Sequence, residues 1–184
     1  MKLFILDTIY VWTVTGIFIV CLTTAGYSQE EGHDGEKRNR VLLAITHTLV
    51  PTAVSESGEK KLLSLASWGL DYDRSFNSPW GVGLHSDIVL ENFQYEDGDV
   101  IKERKSPLAL AAVVSRKFGK HITVFTGGGV ELSRSEETLG LIRIGADCGW
   151  EIPGDWEVSF SLMTDFKIDA YDAFVFGFGI GKKF

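Results

Sequence analysis

Between Val41 and Phe184, apolar residues recur on every second position through eight successive segments, and this alternation constrains the fold more than any other feature of the chain. A side-chain period of two belongs to a β-strand with one apolar and one polar face, whereas a helix would place apolar residues at i, i+3, i+4 and i+7. The segments are 41–52, 62–73, 79–91, 107–118, 121–133, 139–152, 156–168 and 172–184. In the third, Trp80, Val82, Leu84, Ile88 and Leu90 share a face, and Gly81, Gly83, His85, Asp87 and Glu91 share the other. In the sixth, Ile142, Ile144, Ala146, Cys148, Trp150 and Ile152 oppose Arg143, Gly145, Asp147, Gly149 and Glu151. The last reads Phe174, Phe176, Phe178, Ile180 and Phe184 against Gly177, Gly179 and Gly181. The first is the least regular, because Val41, Leu43, Ile45 and Leu49 share their face with His47.

The connections alternate between two ends, with 92–106 clearly the longest and 169–171 short enough to blur the contrast. Residues 54–61, 92–106, 134–138 and 169–171 join strands at one end, and 74–78, 119–120 and 153–155 at the other. Gly119 and Gly154 supply the positive φ that tight turns require. The turn Pro153-Gly154-Asp155 also predicts a register. If those three residues form the loop, Ile152 faces Trp156, Arg143 faces Asp165, and every opposed charge stays on one face.

Composition narrows the function. A net charge of −7 over 184 residues argues against a nucleic-acid partner, which needs a basic surface. Residues 1–28 carry a secretory pattern: Lys2, an apolar run from Ile9 to Leu22, then small residues before Gln29. The run is short for a membrane helix, which takes roughly 20 apolar residues. Residues 29–40 are charged and lack periodicity, and read as a flexible arm. Cys148 is the only cysteine beyond the secretory segment, so it reads as a small apolar wall residue. The expected organisation is thus signal peptide 1–28, arm 29–40 and one all-β unit 41–184.

Alternation alone also fits a soluble barrel with its apolar face turned inward around a ligand. Three features favour the reverse facing. The non-apolar face combines glycine with fixed charge, as suits a narrow interior. Aromatic residues collect at strand ends on the apolar face, at Tyr72, Trp80, Phe118, Trp150 and Trp156, where a membrane barrel places its interfacial girdles. The sequence given ends on an aromatic, Phe184.

Together these residues resemble the small eight-stranded outer-membrane β-barrels of Gram-negative bacteria, of the OmpA/OmpX and porin-like kind. The resemblance covers residues 41–184 and implies an all-β, eight-stranded antiparallel up-and-down transmembrane β-barrel in the outer membrane, with both termini periplasmic. It implies that Phe184 acts as the recognition signal for the barrel-assembly machinery. The partners implied are outer-membrane lipid, that machinery and an unidentified extracellular ligand, with the protein acting as a monomer. The expected role is non-enzymatic, structural or in surface interaction. A small cation-preferring pore and a secreted soluble barrel holding a hydrophobic ligand are the alternatives.

The lumen expected from parity is acidic: Asp71, Asp87, Glu91, Glu131, Asp147, Glu151, Glu157 and Asp165 stand against Arg143, Lys167 and Lys183, with His85 among them. That set reads either as a salt-bridged plug, since eight strands leave room only for side chains, or as a cation path. His85, Asp87 and Glu91 share a face, but His-x-Asp is too common to signal a metal, and no metal or cofactor is expected. The deacylase class among such barrels uses a His-x-Ser pair facing lipid; His85 and Ser86 are adjacent and therefore point to opposite faces. Gly127-Gly128-Gly129 lacks the Lys-Ser/Thr and helix of a phosphate loop.

Overall fold

Each alternating segment becomes a strand. The computed structural model describes residues 37–54, 60–76, 79–97, 100–134 and 137–184; the secretory segment and residues 29–36 lie outside the described residues. In chain order the strands are β1 (Asn39–Val54), β2 (Lys60–Ser75), β3 (Trp80–Val89), β4 (Asn92–Asp97), β5 (Val100–Lys105), β6 (Leu108–Phe118), β7 (Ile122–Leu132), β8 (Leu139–Ile152), β9 (Trp156–Lys167) and β10 (Asp172–Lys183). Eight of them form the wall in the order β10-β9-β8-β7-β6-β3-β2-β1, and β10 pairs back on β1 to close it. Every pairing in the wall is antiparallel. Closure leaves the wall without an open edge.

The first and last strands are sealed at one end by Asn39 N–H donating to the Phe184 carbonyl (3.1 Å) and Phe184 N–H donating back to Asn39 (2.9 Å). This terminal end also holds the tight turns, with positive φ at Gly119 (67°), Gly154 (81°) and Asp155 (63°). The register at the last of these turns puts Ile152 opposite Trp156 and Arg143 opposite Asp165. β1 begins at Asn39, so two residues of the segment read as a flexible arm, Asn39 and Arg40, are strand. The alternation extends two residues below Val41, and the charge of Arg40 disguised it.

The apolar face lies outside. Leu43, Ile45, Leu70, Leu84, Ile142, Phe178 and Ile180 are exposed, while Arg143, Asp165, His85 and Ser159 are buried. This facing excludes the soluble ligand-binding barrel, which needs the opposite arrangement. His47 faces outward too, its ring stacked on Phe176 at 5.6 Å. Cys148 is buried in the wall between its neighbours Ile122 and Phe160.

The long connection 92–106 is more ordered than a surface loop. It folds into the hairpin β4–β5, which leaves the end of β3 and reaches β1 at Ala53 and Val54. β1 outruns β10, whose pairing stops at Leu49, and β4 takes over that side of β1. A register shift between Val50 and Ala53 re-aims the top of β1 for this contact. Pro51 sits in that bulge, where its missing N–H breaks no ladder bond. The hairpin therefore straps across the far mouth of the barrel.

Candidate functional site: the lumen and its strap

Parity sends the charged residues of seven wall strands into a narrow interior, and they arrive as three connected groups. Near the terminal end Arg40 on β1 donates to Asp73 (2.8 Å), Asp147 (2.7 Å) and Glu157 (2.7 Å). Asp73 also meets His85 Nε2 at 3.0 Å, and the Asp71 carboxylate accepts from the Ser86 N–H at 3.2 Å. In the middle, Arg143 holds Asp165 through both carboxylate oxygens (2.7 and 2.8 Å) and Asp87 through its remaining nitrogen (2.6 Å). Toward the far end, Lys167 bridges Asp165 (3.8 Å) and Glu131 (3.3 Å). Glu131 accepts from Arg104 on the strap (2.9 Å) and from the Tyr171 hydroxyl (2.8 Å).

Above this chain lies an apolar layer. Phe93 and Tyr95 on β4 pack against Val50, Leu65, Val89 and Tyr171, with Tyr171 4.7 Å from the Tyr95 ring centroid. Arg104 also donates to the Glu137 carbonyl at 2.8 Å, tying the strap to the β7–β8 connection. The far mouth is thus closed by side chains. A cavity of about 870 Å³ opens at the terminal end, lined by Arg40, Asp73, Asp147, Glu157, Lys117 and Lys183 among others. Beside it Lys37 hydrogen-bonds Asp155 and holds that turn carboxyl below the usual carboxylate range.

Parity places Asp71, His85, Asp87, Glu131, Arg143, Asp147, Glu157, Asp165 and Lys167 inside and buried. Two residues depart from the sequence expectation. Glu91 lies past the end of β3, where the chain leaves the wall for the strap, and is exposed. It joins neither His85 nor Asp87, so that trio never assembles. Glu151 stands at the rim, its side chain 66% exposed, bound by Lys183 (2.7 Å), which also reaches Glu157 (2.7 Å). Lys183 offsets the facing glutamates Glu151 and Glu157.

Arg40, Asp73 and Arg104 escaped the sequence reading. Asp73 shares the parity of Asp71 and was legible by that rule. Arg40 follows from running the same parity below Val41. The signal for the strap was Asp97-Gly98, a turn dipeptide flanked by Phe93 and Tyr95 on alternate positions. With Arg40 and Arg104 included, the interior is close to balanced rather than strongly acidic: Asp71, Asp73, Asp87, Glu131, Asp147, Glu157 and Asp165 face Arg40, Arg104, Arg143, Lys167 and Lys183.

The outward aromatics Tyr72, Trp80, Phe118, Trp150 and Trp156 are all exposed, and all lie at the terminal end with Phe184. They cluster at that one end of the wall. Arg116 lies over the rings of Trp80 (5.2 Å) and Phe118 (5.1 Å), and Lys182 over Trp156 (5.2 Å).

The closed antiparallel wall has parallels among solved structures. The fold is that of the small outer-membrane β-barrels. Ail, the attachment invasion locus protein of Yersinia pestis, solved with the heparin analogue sucrose octasulfate, is similar with a TM-score of 0.54 and 17% identity; the match covers 81% of this chain and 99% of Ail. The outer membrane protein OprG from Pseudomonas aeruginosa is similar with a TM-score of 0.50 and 13% identity, covering 81% of this chain and 97% of OprG. No family model matches the chain, and no curated protein matches it.

Proposed function

We infer that this chain is a non-enzymatic integral outer-membrane barrel with a structural or surface-interaction role. The observation that carries the reading is the inverted facing of a closed barrel: apolar side chains cover the outside, and ion pairs fill the inside. Lipid cannot satisfy an open strand edge, and this wall has none. The terminal end, with its tight turns, its aromatic cluster and the paired ends of β1 and β10, belongs to the periplasmic side. The strap then faces the cell exterior, presenting Gln94, Ile101 and the surfaces of the neighbouring connections. Ail, similar in fold, is an attachment protein by its name, which supports contact at that surface as the role.

The cation-pore alternative is weakened by the geometry. Arg143, Arg104 and Tyr95 are 0%, 0% and 1% exposed and stand across the path between the periplasmic cavity and the outside. The outer-membrane reading predicts that the protein sediments with outer membranes, resists carbonate extraction and migrates differently on gels before and after heating. An Ile101→Cys variant should label on intact cells with an impermeant maleimide. Release into the soluble fraction by carbonate would defeat the reading, and labelling only after lysis would reverse the orientation.

A further inference from the structure

The outer wall of a membrane barrel is a poor place for an unpaired cation, yet two stand there at the terminal rim. Arg74 on β2 and Arg116 on β6 both occupy outward-facing positions and are exposed. Among the described residues neither has a carboxylate within ion-pair distance. Lys182, the third outward cation at this end, is already engaged by Asp155 at 3.7 Å. No outward-facing strand position at this rim carries a carboxylate. The two arginines flank β3: Arg74 lies opposite Val82, and Arg116 opposite Trp80.

Aromatic rings hold Arg116 in place. The Arg116 guanidinium rests over both Trp80 and Phe118, 5.2 and 5.1 Å from the ring centroids. A guanidinium held over ring faces keeps its N–H donors available to an anionic acceptor. Those donors match the oxygens of a phosphate in bidentate geometry. The aromatic rings hold the site at headgroup depth, where such rings sit in a membrane barrel.

We propose that Arg74 and Arg116, framed by Trp80 and Phe118, bind the phosphate of an anionic glycerophospholipid in the periplasmic leaflet. A zwitterionic lipid carries its own ammonium group and has less to gain from a cluster of positive charge without counter-anions. The site is continuous with the lipid-facing wall, so the acyl chains of the same molecule lie against Val82 and Val114. The proposal rests on the outer-membrane reading above and on its orientation.

The test is native mass spectrometry of the folded protein in detergent, offered equal amounts of phosphatidylglycerol and phosphatidylcholine. The intact protein should retain phosphatidylglycerol preferentially, and each of Arg74→Gln and Arg116→Gln should reduce the preference about five-fold. Arg116→Lys keeps the charge but loses the fork, and should fall between. Lys120→Gln removes a charge from the neighbouring exposed turn and should change nothing. A wild-type ratio near one overturns the site, as does a preference that survives both arginine substitutions or falls equally with Lys120→Gln. If a heat-modifiable barrel binds neither lipid, the site alone fails. If no heat-modifiable barrel forms, the outer-membrane reading itself fails.

Discussion

At the scale of single residues, Arg143 does more than pair across its hairpin. It bridges β9 and β3 by holding Asp165 and Asp87 together, and its side chain has no access to solvent. Removing one partner of a buried pair costs roughly 3–5 kcal/mol, because the remaining charge is stranded. Arg143→Ala strands two carboxylates and should lie at the upper end of that range in urea unfolding from detergent. Asp165→Asn in the Arg143→Ala background should recover part of the loss, and adding Asp87→Asn should recover more. A double-mutant cycle between positions 143 and 165 should show a clear coupling; strict additivity would contradict the geometry. This pair was readable from sequence because a three-residue turn fixes the register of both strands. The second partner was not, since nothing local to β3 or β8 says that they face each other across a closed lumen.

At the scale of strands, the glycines of β7 differ from one another in what they do. A Cβ at Gly129 would meet the Leu110 carbonyl oxygen at 1.8 Å, and one at Gly127 the Ala112 carbonyl oxygen at 2.0 Å. These are backbone collisions with β6, so no rotamer change relieves them. Gly128 faces out, with its nearest such atom at 3.6 Å. Gly129→Ala should therefore abolish the heat-modifiable form, whereas Gly128→Ala should fold and keep its stability to within about 0.5 kcal/mol. Equal effects of the two substitutions would show that β6 and β7 approach less closely than described. The eight wall strands were legible to within two residues at each end, because an apolar outside and a charged inside enforce strict alternation. The strap looks like a plain connection in the sequence because its residues are polar outside and short of a full strand; only its inner face, Phe93, Tyr95 and Arg104, betrays the burial.

At the scale of the whole molecule, the lumen is a stack of ion pairs closed by an apolar lid. The intact protein should give no steady conductance in planar bilayers. Replacing residues 93–104 by a short turn removes the lid and Arg104 together, which leaves Glu131 without its guanidinium. Any current that then appears should favour cations, through uncompensated carboxylate in a confined space; anion selectivity would contradict the lumen assignment. Deleting Phe184 should lower the yield and rate of assembly without affecting secretion, since it removes both the rim aromatic and the backbone bonds to Asn39. Assembly at the undiminished rate would show that the seam and the aromatic are dispensable.

That seam has a kinetic meaning. Asn39 and Phe184 are 145 positions apart, yet they are hydrogen-bonded neighbours. β1 cannot find its second partner until β10 is present, so no partial chain owns a closed wall, and every intermediate carries two unpaired strand edges. Closing so long a loop is entropically slow, and the exposed edges of the open sheet invite pairing with other copies. The last pairing, rather than the first, is therefore the one that completes the wall.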